Sequence, residues 1–176
     1  MILRFAMMLL VLCCAAGAPE PGPVRQVLLV PATSVVAIRT YGLGLLPFDG
    51  QFARFQGVLR YGDGGHASCS VALRVDVASL AMGSPTMTAT MLGPDLLDAA
   101  RYPQLVYDGA CATDGLAGEL TMHGVTRPLE LSVDWGGSML TAMGKLRRTD
   151  WGMDGLPLVG GSTVRIKVTV GLAVHR

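Results

Sequence analysis

Residues 117–135 read AGELTMHGVTRPLELSVDW, and this stretch decides the fold of the chain. Apolar side chains take every second position in 120–122 and again in 129–133. A period of two places such side chains on one face of a β-strand. Between the two runs, residues 124–127 begin with a glycine that can turn the chain, and Pro128 suits the first residue of a strand. The stretch therefore predicts a β-hairpin with one buried face, and nothing in it resembles a catalytic motif.

Length and composition limit the class of protein. A chain of 176 residues is long enough for one domain with a substantial core and short for two. The net charge of +1, with 15% charged residues, provides no basic field for nucleic acid. The chain is 51% hydrophobic and holds 23 glycines, so short apolar runs are separated by turn residues. This composition favours an all-β domain over a helical bundle.

The N-terminal segment has the features of an export signal. Arg4 provides a positive charge, residues 5–14 are apolar, and residues 15–18 are small, as at a cleavage site. The apolar run is shorter than the roughly 20 residues that a membrane-spanning helix needs. We therefore predict a signal peptide over 1–18, a single domain over 19–176, and a periplasmic or secreted protein without a stable membrane span.

Four cysteines are divided between the signal segment and the mature chain. Acylation of Cys13 or Cys14 would give a lipoprotein, but neither follows the small residue that such a site prefers. Cys69 and Cys111 remain, each in phase with the apolar side chains of its own strand, one near a strand start and one near a strand end. If those strands pair antiparallel, the two thiols meet, and we predict a disulfide in the oxidising compartment. The alternative is two buried free thiols that pack as small apolar side chains.

Alternating apolar positions recur through the rest of the chain and predict about eight or nine strands. Phe52 and Phe55 are three residues apart, so a bulge near 53–54 is needed to place both on one face. Over 86–101 the apolar spacing is closer to that of a helix, and Asp95 is suited to a helix start. A short helical insertion therefore interrupts the strands. The further strand candidates are 24–30, 33–39, 55–61, 67–80, 105–113, 138–148 and 164–174.

Strands of this number, each with one apolar face, predict an antiparallel β-barrel, because closure leaves no exposed edge. About eight strands enclose an interior that side chains nearly fill or that holds one small ligand. Gly57, Ala142 and Gly144 lie on the predicted inner faces and leave room there, although a glycine equally marks a bend. The residues alone leave both a hollow and a filled barrel open.

The chemistry-bearing side chains form no recognisable active site. His66, His123 and His175 share no metal-ligand spacing with one another or with the two mature cysteines. We expect His123 to anchor its turn by hydrogen bonding, and Asp95 and Asp98 to cap a helix. Neither a nucleophile elbow nor a phosphate loop is present. The sequence therefore predicts neither an enzyme nor a bound metal or cofactor.

Residues 120–129, LTMHGVTRPL, resemble the Leu-Thr-hydrophobic-His-Gly-Val-Thr-Lys-Pro-hydrophobic signature of the YceI-like family. Members of that family are secreted bacterial lipocalin-like barrels that bind polyisoprenoid and related lipids. The family's opening Asp-x-x-His-Ser strand is reduced here to PATS at 31–34, so a head-group role for that histidine does not carry over. Leu96 and Leu97 replace phenylalanines of the family pattern, which can alter the size of the tunnel. Further segments that resemble family elements, in the same order, are 48–57, 75–80, 95–103 and 150–152.

The resemblance implies a lipocalin-like barrel around a long apolar tunnel that an isoprenoid or fatty-acyl tail occupies. It brings no catalytic residues and no cofactor. Methionines such as Met91 suit a flexible tunnel mouth, or else plug the end of the core. The side chains expected on the tunnel wall are Phe48, Phe52, Phe55, Leu59, Leu73, Val75, Met91, Leu92, Leu96, Leu97, Tyr107, Leu120, Met122, Leu140, Ile166 and Val168.

We therefore favour a periplasmic or secreted binding protein that carries an amphiphilic isoprenoid or acyl lipid in its barrel, with no nucleic-acid partner. The first alternative is a filled barrel that serves as a stress-related or interaction protein. The second is a small outer-membrane barrel, whose strands also alternate. Charges such as Arg74, Glu119 and Lys167 on the other strand faces, and an aromatic content of 6%, count against it.

Overall fold

The computed structural model describes residues 24–42, 45–62, 69–155 and 161–172. The signal peptide predicted over 1–18, and His66 and His175, lie outside these ranges. Within them the chain forms eleven β-strands, one α-helix and two short 3₁₀ turns. The strands are β1 Val24–Leu29, β2 Ser34–Gly42, β3 Leu46–Phe52, β4 Phe55–Gly62, β5 Cys69–Asp76, β6 Leu80–Met82, β7 Gln104–Ala112, β8 Gly115–Met122, β9 Val125–Gly136, β10 Met139–Arg147 and β11 Thr163–Gly171. The helix α1 is Pro85–Leu92, and the 3₁₀ turns are Val77–Ser79 and Arg148–Trp151.

The strands form one antiparallel sheet that closes on itself. β3 and β4 are two halves of one long strand, separated only by residues 53–54. β1 and β2 pair with these halves on one side, and β5 and β6 pair with them on the other. From β5 the ladder continues through β7, β8, β9, β10 and β11 back to β2. If each of the bent strands β1–β2, β3–β4 and β5–β6 is counted once, these three and the five strands β7 to β11 give a barrel of eight strands. The predicted lipocalin-like barrel is thereby confirmed.

A kink between β3 and β4 turns both Phe52 and Phe55 into the core. The backbone N–H groups of Ala53 and Arg54 donate to the carbonyl and hydroxyl oxygens of Ser79, at 3.1 and 3.0 Å. Ser79 is buried in the 3₁₀ turn between β5 and β6, so the kinks of two neighbouring strands are joined. Phe52 and Phe55 are consequently 2% and 8% exposed, as the predicted bulge requires.

The helical insertion is the helix α1. Ser84 caps it by accepting a hydrogen bond from the Met87 N–H at 3.2 Å, and Pro85 occupies its first position. The prediction that Asp95 starts a helix is wrong. Residues 93–101 form turns, and the N–H groups of Gly93, Leu97 and Ala99 donate to carbonyls in the last turn of α1. Those hydrogen bonds fold the chain back onto α1 and prevent a second helix from extending.

The central hairpin, β8 and β9, turns at different residues from those predicted. Met122 pairs with Val125, so the turn is His123–Gly124, with φ angles of 51° and 75°. Such left-handed angles match the two-residue turns that join twisted strands. Pro128 is therefore inside β9 rather than at its start. Hydrogen-bonded pairs alternate along the β8–β9 ladder, so the nitrogen of Pro128 points away from β8. It faces the β10 side of β9, where β10 does not pair with this part of the strand and no ladder hydrogen bond is lost.

The barrel wall has a gap between β9 and β10, which pair only over 132–136 and 139–143. The 3₁₀ turn Arg148–Trp151 packs against both strands beyond that point. Trp151 is 3% exposed, and its indole N–H donates to the Leu120 carbonyl at 3.1 Å. This aromatic side chain therefore replaces the missing ladder contacts with packing and one hydrogen bond.

His123 anchors the hairpin turn to this packing. Its Nδ1 donates to the Trp151 carbonyl at 3.1 Å, and its ring lies on the Tyr102 ring with centroids 4.5 Å apart. A Cβ at Gly124 would lie 2.6 Å from the Tyr102 ring, so the glycine admits that ring. The hairpin, the Tyr-Pro segment and the Asp-Trp-Gly segment, which all carry the family resemblance, therefore meet at one place for structural reasons.

A disulfide joins Cys69 and Cys111, with their Cα atoms 5.0 Å apart. Ser70 pairs with Ala110 in the β5–β7 ladder, so the two cysteines face each other at the ends of neighbouring antiparallel strands. These strand ends lie at the end of the barrel opposite α1. The bond thus ties the barrel wall at the end that the helix does not cover. No helix in the described ranges is long and apolar enough to cross a membrane.

Candidate ligand-binding site

A cavity of about 430 Å³ opens at the end of the barrel that α1 covers. Most of its wall is apolar and comes from β2, β3, β7, β10 and β11 and from the segment that follows α1. Hydroxyl groups of Thr40, Ser84, Thr86 and Thr90 lie among these apolar side chains. The cavity therefore suits an apolar ligand with a small polar part.

The helix α1 forms one side of the cavity without entering the core. Met87 and Met91 reach the cavity from it, and every residue of α1 is at least partly exposed. The backbone N–H of Met82 donates to Thr88 Oγ1 at 3.0 Å, which ties the helix to β6. Across the mouth, Leu46 lines the cavity although it is 56% exposed. The rim is therefore apolar and only lightly packed.

Arg148 borders the cavity although it is only 5% exposed. Its Nε donates to the Gly161 carbonyl at 3.1 Å, and a terminal nitrogen donates to the Met153 carbonyl. Carbonyl dipoles thus compensate the burial of the cation. Arg148 in this way joins Met153 and Gly161 to the end of the barrel.

The structure divides the side chains predicted for the tunnel wall into two groups. Alternation identifies side chains that face inward, but it carries no information about the level of the barrel at which space remains. On the cavity wall lie Phe48, Phe52, Met91, Leu96, Leu97 and Met122. In the packed interior, or half-buried beside it, lie Phe55, Leu59, Leu73, Val75, Leu92, Tyr107, Leu120, Leu140, Ile166 and Val168.

Other wall residues were missed by the sequence reasoning. The alternation of β7, β10 and β11 already marks Leu105, Leu146 and Val164 as inward-facing, so these three carried a usable signal. Met153 and the end of β2 carried none, because only tertiary packing brings them to the cavity. The apolar or aromatic wall residues missed in this way are Ile38, Tyr41, Leu46, Met87, Leu105, Leu146, Met153 and Val164.

Below the cavity the interior is packed around Tyr107. This residue is the next inward-facing position after Leu105 on β7; it is 6% exposed, and its hydroxyl donates to the Leu129 carbonyl at 3.2 Å. Burial raises the pKa of Tyr107 to about 12. A Cβ at Gly109 or Gly118 would lie 2.9 or 2.8 Å from the hydroxyl oxygen. The two glycines therefore admit the phenol ring into the barrel.

The small residues Gly57, Ala142 and Gly144 do not leave the open space that the sequence suggested. A Cβ at Gly57 would lie 3.2 Å from the Leu29 side chain, and one at Gly144 would overlap the Leu131 side chain. Ala142 is 4% exposed within the core. The backbone of Ala72 approaches Gly57, and the Leu131 side chain fills the space at Gly144, so neither glycine leaves open space.

Two further depressions differ from the cavity in wall chemistry. One, of about 1010 Å³, lies on the outer face of the sheet, where exposed charges such as Glu130, Lys145 and Lys167 border it. Its Arg39 guanidinium donates to Asp49 and holds the pKa of that carboxyl below its usual value. The other, of about 210 Å³, lies beside the disulfide. In the part of the chain that the structure describes, no three His, Cys, Asp or Glu residues cluster as metal ligands would.

The YceI-like domain profile matches residues 28–175 of this chain. A UPF0312 protein of Vibrio campbellii is 26% identical over 119 residues, which cover 60% of this chain and 63% of that protein. A UPF0312 protein of Vibrio parahaemolyticus is 25% identical over 135 residues, which cover 69% of this chain and 71% of that protein. The match to the first relative thus spans less than two thirds of its length.

Several solved structures share the barrel, among them two from Burkholderia cenocepacia and Saccharophagus degradans. Burkholderia cenocepacia BcnA superposes with a TM-score of 0.66 at 21% identity, covering 82% of this chain and 99% of that one. A polyisoprenoid binding domain from Saccharophagus degradans, implicated in plant cell wall breakdown, superposes with a TM-score of 0.60 at 14% identity, covering 84% and 98%. The profile match runs from the last two residues of β1 through β11, and the architecture agrees with it. The chain belongs to the YceI-like domain family.

Proposed function

We propose that this protein binds an amphiphilic isoprenoid or acyl lipid and holds the apolar tail in the cavity beneath α1. The observation that carries the proposal is the cavity of about 430 Å³ with its mainly apolar wall. Sites for small molecules usually occupy about 300–1,000 Å³. An apolar chain gains free energy when it leaves water for such a wall.

The ligand class is supported by likeness to a known protein. The Saccharophagus degradans neighbour is described as a polyisoprenoid binding domain, and it shares this barrel at 14% identity. The polar side chains on the described part of the wall are mainly hydroxyls and the Arg148 guanidinium, which suit binding better than acid–base catalysis. We therefore propose a carrier or sequestering protein rather than an enzyme.

The outer face of the barrel supports a protein that works in water. Arg74, Glu130 and Lys167 are exposed on the outer strand faces, whereas the buried side chains that face inward are mainly apolar. A barrel that faces lipid carries the opposite arrangement, with an apolar outer band. This pattern favours the binding-protein proposal over the membrane-barrel alternative.

We also propose that the protein acts in the periplasm or outside the cell. The charged, apolar and small segments of residues 1–18 support export, and the Cys69–Cys111 disulfide suits an oxidising compartment. Osmotic-shock release followed by N-terminal sequencing tests this proposal. A mature protein that begins at residue 17, 18 or 19 is expected, and a cytoplasmic protein that keeps Met1 would overturn the proposal.

Mass spectrometry of an organic extract tests the binding function directly. The protein is purified from its native host without detergent, extracted with organic solvent, and the extract is quantified against protein. We expect close to one prenyl or acyl species per protein molecule. An extract without lipid, combined with no thermal shift on adding isoprenoid or fatty alcohols, would contradict the proposal and favour a filled barrel with protein partners.

A matched pair of variants assigns the bound lipid to the cavity. Met87→Trp adds a bulky side chain at the cavity wall, whereas Met139→Trp makes the same change at a position on β10 that is 49% exposed. We expect the first variant to weaken binding of dodecanol at least about tenfold, or about 1.4 kcal/mol. The second should bind like the unmodified protein. Equal losses in both would place the lipid elsewhere.

A further inference from the structure

Described residues line two separate spaces at opposite ends of the barrel interior. The cavity beneath α1 measures about 430 Å³, and the depression beside the disulfide about 210 Å³. The two have no lining residue in common. Between them lies a packed layer whose members are each between 4% and 8% exposed: Leu73, Tyr107, Leu120, Ala142 and Val168.

Tyr107 is the bulkiest member of this layer, one inward-facing level below the cavity wall, and its ring extends from there toward Gly109 and Gly118. Leu105 and Met122 face the cavity on β7 and β8, and the next inward-facing pair on the same two strands is Tyr107 and Leu120. The Tyr107 hydroxyl is fixed by its hydrogen bond to the Leu129 carbonyl at 3.2 Å. Moving the ring would therefore break a buried hydrogen bond and leave that carbonyl without this donor.

We propose that Tyr107 closes the inner end of the cavity and limits the cargo to short apolar chains of about ten to fifteen carbons. This inference rests on the proposed function and specifies its ligand. At about 30 Å³ for each non-hydrogen atom, the volume of a water molecule in the liquid, about 430 Å³ holds about 14 atoms. A longer tail either stays partly outside the mouth or displaces Tyr107. The long apolar tunnel that the resemblance implied is thus shortened in this chain.

A chain-length series of straight-chain alcohols tests the limit. Dissociation constants for alcohols of about 8 to 22 carbons are measured by displacement of N-phenyl-1-naphthylamine from the full mature protein. We expect the affinity to rise about threefold or more for each added methylene up to about 14 carbons, because each buries more apolar surface. Beyond that length the affinity stays constant or falls.

Variants of Tyr107 assign the limit to this side chain. Tyr107→Ala removes about seven non-hydrogen atoms and is expected to move the limit to about 20 carbons. Tyr107→Leu removes about four, moves the limit by about four carbons, and keeps enough bulk to carry the test if the alanine variant does not fold. Tyr107→Phe keeps the ring and is the control, with an unchanged limit.

The outcomes separate this inference from the function on which it rests. An affinity that keeps rising past about 18 carbons in the unmodified protein would overturn the length limit and leave lipid binding intact. A folded Tyr107→Leu variant with the same limit as the unmodified protein would also overturn the role of Tyr107. If no alcohol binds to any of these proteins, both the proposed function and the inference are wrong.

Discussion

Gly118 shows how the close approach of two strands fixes one residue. A Cβ at this position would overlap the Asp108 carbonyl oxygen and lie 2.6 Å from the Gly109 Cα, and backbone atoms cannot swing aside. We expect Gly118→Ala to lower the free energy of unfolding by about 1–3 kcal/mol in urea denaturation. Gly136→Ala is the control, because its Cβ would meet nothing nearer than 3.6 Å. Equal effects of the two substitutions would show that strand packing at Gly118 is looser than described.

The buried phenol of Tyr107 makes stability depend on alkaline pH. Burial raises its pKa from 10.0 to about 12, so the unfolded chain loses this proton at lower pH than the folded protein. The stabilisation is complete below pH 10 and declines as the pH rises toward 12. Urea unfolding at about pH 9 and about pH 11 should show this loss, and Tyr107→Phe should lose less. An identical pH dependence in the two proteins would contradict the assignment.

At the scale of elements, the disulfide fastens β5 to β7 across 42 residues of chain. Closing a loop of this length restricts the unfolded chain. The free energy of unfolding of the double variant Cys69→Ala/Cys111→Ala is therefore expected to be about 2–4 kcal/mol lower. Intact mass should rise by about 2 Da when the unmodified protein is reduced. An unchanged mass would show two free thiols, and the double variant would then lose only packing.

The elements also show where sequence patterns stop being informative. Period-two alternation predicted the strands and the kink between Phe52 and Phe55, because both follow from which face a side chain occupies. The same pattern placed the hairpin turn wrongly, at 124–127, and placed Pro128 wrongly at the start of a strand. Two features outside the hairpin favour the turn at His123–Gly124. β10 leaves the part of β9 around Pro128 unpaired, and the Trp151 carbonyl accepts a hydrogen bond from His123.

For the whole molecule, the divided interior predicts a localised response to ligand. Dodecanol is expected to slow amide hydrogen exchange in α1 and at the β2–β3 end, where the cavity lies. Amides near Cys69 and Cys111, at the opposite end, should exchange at unchanged rates because a packed layer separates them from the cavity. Protection that is equal at both ends would point to a ligand that runs through the barrel. Met87→Trp serves as the control, since a filled cavity should show no such change.

The sequence by itself determined the all-β class, the eight-stranded barrel and the family. These depend on local signals: alternation, turn residues and short motifs whose meaning does not require distant neighbours. Tertiary structure alone decided which inward-facing side chains border space. Phe52 and Phe55 share an inner face, yet one lines the cavity and the other packs below it. The physical reason is that free volume depends on how side chains from non-adjacent strands fill one level of the barrel, and alternation specifies the face of a side chain but not its partners across the interior.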